Sequence, residues 1–269
     1  MAINSPDALI AGLKHPAPFC KVQRVSGVVG RPQSQWTSPG IPGAGANPAA
    51  APAGVAITGD LAGRIDVREP GVGLESRLTR FAVQSGFTGT VLLCDRIWHA
   101  AGFSPTLTTA QAVGSVAFPA RDDDGSVDGR GYQAALEVTT AMGAGTPTVT
   151  LGYTNSDGVA WRSAANIDSA YTAAPVGYFH RLGFQSGDKG IRSIQSVQLS
   201  STWTSGAFNL VVYRILAQLE VMAANSALSA GPAELGLPKL HPGVCPFLVF
   251  IPAAAGIGIL QGQVGYAHG

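Results

Sequence analysis

The chain has 269 residues, of which 12% are charged, and its formal net charge at pH 7 is +1. Soluble domains usually carry about 25% charged residues, and nucleic-acid binding needs a basic stripe that this sequence lacks. We therefore expect no direct contact with nucleic acid. We also expect partner subunits to cover part of the exterior, because the cores of protein interfaces are poor in charge.

The sequence shows no membrane or targeting signal. Its uninterrupted apolar runs, such as residues 247–251, are much shorter than the roughly 20 residues that cross a bilayer. Residues 1–14 lack a basic segment followed by an apolar one, so we expect no secretion signal and assembly in a cytoplasm. Cys20, Cys94 and Cys245 share no metal-binding or redox spacing and are predicted to be small buried side chains.

A short helix is predicted near the N-terminus. Ser5 is a typical N-cap residue, and Pro6 fits the first helical position, where its missing N–H would have no partner in any case. The helix is expected to end at about His15, because a residue that precedes a proline is driven out of the helical region of backbone space.

Residues 19–73 have an irregular pattern that contains the stretch PGIPGAGANP at positions 39–48. A structureless loop of this length is unusual in a compact monomer. An extended arm that lies across neighbouring subunits explains the pattern, because partners would supply the burial that the segment lacks. A disordered linker is the alternative that composition leaves open.

The 35 glycines and 18 prolines, with many Thr, Ser and Val residues, indicate short strands joined by turns. All-β sandwiches and barrels often reach about 200–250 residues in one domain. We therefore predict a mainly β fold, with a helix and extended arm over residues 1–73 and a jelly-roll-like β-sandwich body over residues 74–269. Strands are predicted at residues 89–98, 191–199 and 208–221, and residues 77–83 fit a strand or a short helix.

Two hairpins and one closing pair of strands are predicted in the body. The Asp157-Gly158 pair has the chemistry of a tight turn between two strands. The other predictions are a hairpin between residues 136–142 and 148–153, around a glycine-rich turn, and a pair of strands at residues 247–251 and 257–266.

Three segments resemble virion structural proteins of tailed bacteriophages. They are residues 93–99 (LCDRIWH), 149–159 (VTLGYTNSDGV) and 182–196 (LGFQSGDKGIRSIQS), and the similar region spans roughly residues 90 to 219. The resemblance implies a head decoration (cement) protein, since auxiliary head proteins are commonly β-sandwich trimers with extended arms. It implies a homotrimer bound to the major capsid protein, and it brings no catalytic residues and no cofactor.

The residues that carry chemistry form few recognisable motifs. The dense acidic loop with Asp122, Asp124 and Asp128 nearly offers the oxygen ligands of calcium, but it lacks the EF-hand spacing and its distal Glu, so a solvated loop is the alternative. No metalloprotease, phosphate-loop or nucleophile-elbow motif is present. We predict no catalytic residue, and we expect His99 to pack in the core beside Trp98.

Seven residues are candidates for contacts between subunits. Gln185, Asp188 and the residues around them have turn chemistry, which fits a loop at a subunit junction or a plain tight turn. The full set is Trp36, Pro39, Ile41, Pro42, Gln185, Asp188 and Arg192.

The favoured hypothesis is a non-enzymatic virion component, a capsid decoration protein that contacts copies of itself and other virion proteins. The first alternative is the major shell subunit or a tail component. The second is a carbohydrate-binding surface module, which predicts a cleft beside an exposed aromatic such as Trp36, Trp161 or Trp203.

Overall fold

The structure is a computed structural model that describes residues 3–59, 61–168 and 172–269. Within these residues there are two helices and sixteen strands. In chain order they are α1 (Pro6–Gly12), β1 (Ala17–Val22), β2 (Gln33–Ser34), β3 (Gly40–Ile41), β4 (Val55–Ala56), β5 (Ser76–Ser85), β6 (Gly89–Ala100), β7 (Gln111–Ala112), β8 (Tyr132–Thr140), β9 (Val149–Asn155), β10 (Arg162–Asn166), β11 (Phe179–Gly183), β12 (Ile191–Leu199), β13 (Ala207–Val221), β14 (Ala227–Ala230), α2 (Pro232–Leu235), β15 (Pro246–Pro252) and β16 (Ile259–His268).

The strands form two antiparallel sheets. The smaller sheet has five strands in the order β14-β5-β16-β1-β3. The larger has eleven strands in the order β2-β15-β6-β13-β8-β11-β10-β9-β12-β7, with β4 paired to β6 beside this path. The mainly β prediction with a short N-terminal helix is confirmed. Neither helix has the length and the apolar run that crossing a bilayer requires, within the part of the chain described.

The long strands β6 and β13 run through the middle of the fold. Nearly every side chain of β6 is buried, so this strand needs cover on both of its faces. The first half of β13 is also buried throughout, whereas its last five residues alternate between buried and exposed. Continuous apolar runs are typical of strands covered on both faces, and alternation is typical of strands with one wet face.

Three hydrophobic clusters fill the interior. One contains Phe81 and Val264 of the small sheet with Leu93 and Leu219 of β6 and β13, so the two sheets face each other as in a sandwich. A second lies among β8, β9, β12 and the first half of β13. The third lies on the opposite face of β6 and β13 and includes Trp36.

Residues 19–73 supply much of the cover for the large sheet. Trp36 and Ile57 belong to the third cluster, and Ile65 belongs to the first. Strand β1 pairs with β16, and the backbone N–H of Ile57 donates to the carbonyl of Ile97. Part of this segment is thus buried on its own chain, whereas other apolar side chains of the segment, such as Val29, Ile41 and Val72, are exposed. That the segment contacts neighbouring subunits stays a prediction.

Several local predictions are confirmed. Ser5 caps α1, where its Oγ accepts a hydrogen bond from the N–H of Ala8 at 3.1 Å. The strands predicted at residues 89–98, 191–199 and 208–221 are present as β6, β12 and β13, and residues 77–83, which fit a strand or a short helix, lie in the strand β5. The Asp157-Gly158 turn joins β9 to β10 in an antiparallel pair.

Two predicted pairings are wrong, although their strands exist. Strand β8 pairs with β11 and β13, and β9 pairs with β10 and β12, so β8 and β9 form no hairpin. The closing strands β15 and β16 lie in different sheets. The partners of β8, β15 and β16 are distant in sequence, and β9 pairs with the adjacent β10 on one edge and with the distant β12 on the other. Local turn chemistry does not reveal the distant partners.

A set of charged side chains lies inside the fold. Arg96 and Glu137 form a bidentate ion pair, with Nη2 to Oε2 at 2.6 Å, and Arg121 Nε lies 3.2 Å from Asp95 Oδ2. Arg121 also donates to the backbone carbonyl of Ile57 at 2.8 Å, which ties residues 19–73 to the body. We call Asp95, Arg96, Arg121 and Glu137 the core charge cluster.

Candidate subunit interface

The acidic loop is organised by its own backbone. The Asp122 carboxylate accepts hydrogen bonds from the N–H groups of Asp124 (3.1 Å), Ser126 (2.6 Å), Gly129 (3.1 Å) and Arg130 (3.2 Å). Burial opposes ionisation of Asp122, but these bonds outweigh it and lower the pKa of the carboxyl. Among the described residues, no group of three His, Cys, Asp or Glu side chains is arranged to hold a metal ion.

Asp124 and Asp128, the other two candidates for a cation, lie on the exposed side of the same loop. Asp128 Oδ1 is 3.3 Å from Arg192 Nη1, so its carboxylate faces a cation that the chain itself supplies. The signal that singled out these residues, a dense run of acidic side chains, therefore corresponds to a loop held by backbone donors and one surface ion pair.

Trp36, a predicted contact residue, is 1% exposed. Its ring packs edge-on against Phe247 and below the guanidinium of Arg96, and its Nε1 donates to Ala46 O at 2.9 Å. Trp36 is thus a core residue of the single chain, and its place in the interface set is corrected. An isolated Trp in a Gly/Pro-rich stretch does not reveal which of the two roles it has.

The other candidates from this segment lie at an edge of the small sheet. Ile41 belongs to the edge strand β3, and its side chain is exposed, as is that of Pro39. Lys21 holds the backbone that follows β3, because its Nζ donates to the carbonyls of Pro42 (2.8 Å) and Gly43 (3.1 Å). Burial lowers the pKa of Lys21 to about 8.

Asp188 joins the turn at residues 185–190, which also carries the candidate Gln185, to the β9–β10 hairpin. Its carboxylate accepts hydrogen bonds from the Tyr153 hydroxyl, from Asn155 Nδ2 at 2.7 Å and from Arg162 Nε at 3.0 Å. Burial opposes ionisation, but the bonds from Arg162, Tyr153 and Asn155 outweigh it and hold the pKa of Asp188 at about 2. The Tyr153 hydroxyl in turn accepts the N–H of Gln185 at 3.1 Å. The β9–β10 hairpin and the residue 185–190 turn therefore form one rigid unit.

Trp161 lies in this rigid unit and is 74% exposed, whereas Trp36, Trp98 and Trp203 are buried. Its backbone has φ 59°, a left-handed conformation that is uncommon for a bulky residue and costs on the order of 1–3 kcal/mol. Because Arg162 pairs with Tyr153 across the hairpin, Trp161 lies next to the position of Thr154. The sequence marked Trp161 only as one of three aromatic candidates, with Trp36 and Trp203, for the carbohydrate-binding alternative.

An open pocket of about 480 Å³ lies beside the hairpin. Thr154 and Gly158 of the hairpin form part of its wall, and Arg192 and Ser193 come from β12. The remaining lining residues are Ser115, Ala117, Phe118 and Val127. Val127 of the lining is exposed, and so is Val159, which follows the lining residue Gly158 in the chain.

We call the following residues the hairpin surface: Val127 and Arg192, which line this pocket, Asp128, which pairs with Arg192, and the exposed Val159 and Trp161 of the hairpin. Charges of both signs lie here: a smaller pocket of about 160 Å³ is lined by Asp124, Asp128, Asp157, Arg130 and Lys189 and by the buried Asp122. Arg192 and Asp188, which the sequence marks as contact candidates, thus lie at or directly beneath one surface, whereas Ile41 lies on another sheet.

His99, His180 and His241 are buried, and His241 lies against the acidic loop at Gly125. Burial lowers the pKa of His99 to about 3 and the pKa values of His180 and His241 to about 4. His99 Nδ1 lies 3.2 Å from Arg96 Nε, and the side chain is buried, as the sequence predicts. These three imidazoles are therefore neutral near pH 7 and belong to the interior.

No protein-family model matches the chain, and neither does any curated protein. Two solved structures of the infectious bursal disease virus, the Gx strain and the VP2 subviral particle, align with 77% and 76% of this chain at 14% and 10% identity. The aligned region covers 43% and 45% of those chains, so this chain spans less than half of their length. The TM-score is 0.16 for both, which carries no argument about fold or function.

Proposed function

We propose that the chain is a structural subunit of a virion, without enzymatic activity, and that it works through contacts with copies of itself and with other virion proteins. The tailed-phage resemblance of residues 93–99, 149–159 and 182–196 directs the proposal to a phage particle. Within that particle, head decoration is the favoured position, with the major shell subunit or a tail component as the alternative.

The observation that carries the proposal is the distribution of charge and apolar surface. The chain has only 17 basic and 16 acidic side chains, and nine of those on the described residues lie buried in the fold. At the same time, 21 large hydrophobic side chains are exposed on the described residues. Single exposed apolar residues are ordinary, but an exterior this poor in charge resembles the surfaces that subunits bury against one another.

Two exposed apolar regions support the proposal. One is the hairpin surface. The other lies on the small sheet, where Val22 of β1 is the direct cross-strand partner of Ile259 of β16, and both side chains are exposed. Neighbouring apolar side chains on a flat sheet face are a typical site of contact between proteins.

The test is the number of copies in purified virions from an infected host whose phage encodes the chain. Quantitative mass spectrometry is expected to find the chain in many copies per particle. Mild dissociation that releases the chain and leaves the shell intact identifies a decoration protein, whereas collapse of the shell identifies the major subunit. Absence of the chain from purified particles contradicts the proposal.

A further inference from the structure

We infer that the hairpin surface is a twofold contact between two copies of this chain, in which Trp161 of one copy enters the 480 Å³ pocket of the other and the reverse contact forms at the same time. The inference rests on the proposed function, which it deepens by naming the self-contact. The phage resemblance implies a trimer. The twofold contact is a separate inference, and it is tested separately.

The first argument is that Trp161 is exposed and held in place. Its left-handed backbone would relax if the hairpin were mobile, but Asp188 fixes both strands through Tyr153, Asn155 and Arg162. A rigid aromatic side chain loses little conformational entropy on binding, and Trp is the residue type most enriched among the energetically dominant contacts of interfaces. Backbone strain that the surrounding structure enforces is typical of functional sites.

The second argument is that the receiving pocket lies on the same surface. Its volume falls within the roughly 300–1,000 Å³ of pockets that enclose small organic groups, so an indole ring fits. Phe118, Ala117 and Val127 provide apolar walls. A protrusion and a cavity side by side on one surface can pair with themselves, because a twofold axis places each protrusion opposite the cavity of the other copy.

The third argument is charge. In a contact between two copies, identical surfaces face each other. If such a surface carried charges of one sign only, the two copies would repel each other. Around the pockets, the exposed Asp124, Asp128 and Asp157 are matched by Arg130, Lys189 and Arg192, and the fourth carboxylate, Asp122, is buried and bonded to backbone N–H groups. The Asp128–Arg192 pair is half-exposed at both ends, at 54% and 44%. Asp128 of one copy can therefore pair with Arg192 of the other, and the contact stays neutral.

The experiment compares the wild-type chain with Trp161→Gly by sedimentation velocity over a range of concentrations. Glycine accepts the left-handed backbone, so the variant is expected to fold. The wild type is expected to form a dimer or a larger even-numbered species, and Trp161→Gly is expected to weaken that association at least about 30-fold, the effect of losing a dominant contact residue. Met222→Ala, which removes another highly exposed apolar side chain, is the matched control and is expected to associate as the wild type does.

A charge swap sharpens the test. Arg192→Asp places acidic side chains against each other across the proposed axis and is expected to weaken association. The double variant Asp128→Arg/Arg192→Asp restores opposite charges and is expected to recover it. Because the pair is exposed, neither change is expected to affect folding by more than about 1 kcal/mol, which urea unfolding checks.

The outcomes separate the two proposals. Association that is unchanged in Trp161→Gly overturns the twofold contact and leaves the structural-subunit proposal standing. An odd-numbered wild-type species, such as a trimer, also overturns the twofold contact. A wild type that stays monomeric at every concentration contradicts both, and a monomer that binds neutral oligosaccharides such as maltohexaose through Trp161 favours the carbohydrate-binding alternative instead.

Discussion

The core charge cluster and the hairpin surface use ion pairs in opposite ways. Arg96 and Glu137 are almost completely buried, and their side chains satisfy each other in fixed geometry. Asp128 and Arg192 form a longer and half-exposed pair at the rim of a pocket. A buried pair is expensive to break because each ion has lost its hydration, whereas an exposed pair contributes about 0–1 kcal/mol.

Burial of ions in the core makes the exterior of the chain poorer in charge than the overall content of 12% suggests. The buried ions hold strands and the N-terminal segment together, as Arg121 shows by donating to Ile57 of that segment and to the carbonyl of Arg96. Those charges do not solvate the exterior. The surface therefore contains fewer ions than the composition implies, and the ions that remain at the hairpin surface are free to change partners.

The largest expected effect comes from breaking the buried pair. Glu137→Gln leaves the Arg96 guanidinium buried without its counter-ion, and it is expected to lower the free energy of unfolding by about 3–5 kcal/mol. Urea unfolding followed by circular dichroism measures this loss. The double variant Arg96→Met/Glu137→Leu removes both ions and is expected to be clearly more stable than the single variant. A single variant within about 1 kcal/mol of wild type would show that the pair is not needed.

A smaller loss is expected at the base of the hairpin surface. Asp188→Asn keeps the shape of the side chain but removes the charge that Arg162 and the Tyr153 hydroxyl contact. Because charge-assisted hydrogen bonds are worth about 1.5–3 kcal/mol, we expect the free energy of unfolding to fall by about 2 kcal/mol. Thermal unfolding measures it, with Asp157→Asn in the adjacent exposed turn as the control. Equal stability of the two variants would contradict the role given to Asp188.

The same carboxylate predicts a pH dependence. The pKa of Asp188 in the folded chain, about 2, lies below the ordinary value of about 3.9. The unfolded chain therefore binds the proton first as pH falls, so the stabilisation is complete above about pH 4 and is lost progressively towards pH 2. Unfolding of the wild type and of Asp188→Asn at successive pH values is expected to give curves that converge in this window. A gap that stays constant down to pH 2 would contradict the assignment.

The smallest effect on folding is expected for the exposed Asp128–Arg192 pair. Asp128→Asn removes one end of an exposed pair, and its free energy of unfolding is expected to lie within about 0.5 kcal/mol of wild type. Its effect on self-association is expected to exceed its effect on stability, because the proposed contact desolvates the pair. Parallel measurements of urea unfolding and sedimentation compare the two. A loss of stability comparable to that of Glu137→Gln would contradict the difference proposed between this exposed pair and the core charge cluster.

Local patterns predicted the elements better than their partners. The branched and aromatic residues of the 208–221 run correctly predicted β13, which spans Ala207–Val221. The Asp157-Gly158 turn correctly predicted the β9–β10 hairpin, because a two-residue preference determines that contact. The partners of β8, β15 and β16 depend on contacts between distant parts of the chain, and no local signal encodes them.

The candidate site was predictable only in part. Turn chemistry drew attention to Asp188 and its neighbours, but not to the Tyr153 and Arg162 contacts that join two turns into one surface. The sequence does not show that Trp161 is exposed and Trp36 buried, because the exposure of a side chain depends on the whole fold. The burial within the N-terminal segment was not predictable, since isolated apolar residues such as Ile57 and Ile65 fill a core without any periodic pattern.

The mass of the purified wild-type chain in solution is the most direct measurement of whether it is an assembling subunit. Native mass spectrometry over increasing protein concentration is expected to show multiples of 27.5 kDa that become dominant as concentration rises. Association should also persist at high salt, because apolar contacts are screened far less than charged ones. A single 27.5 kDa species under all of these conditions would contradict the account.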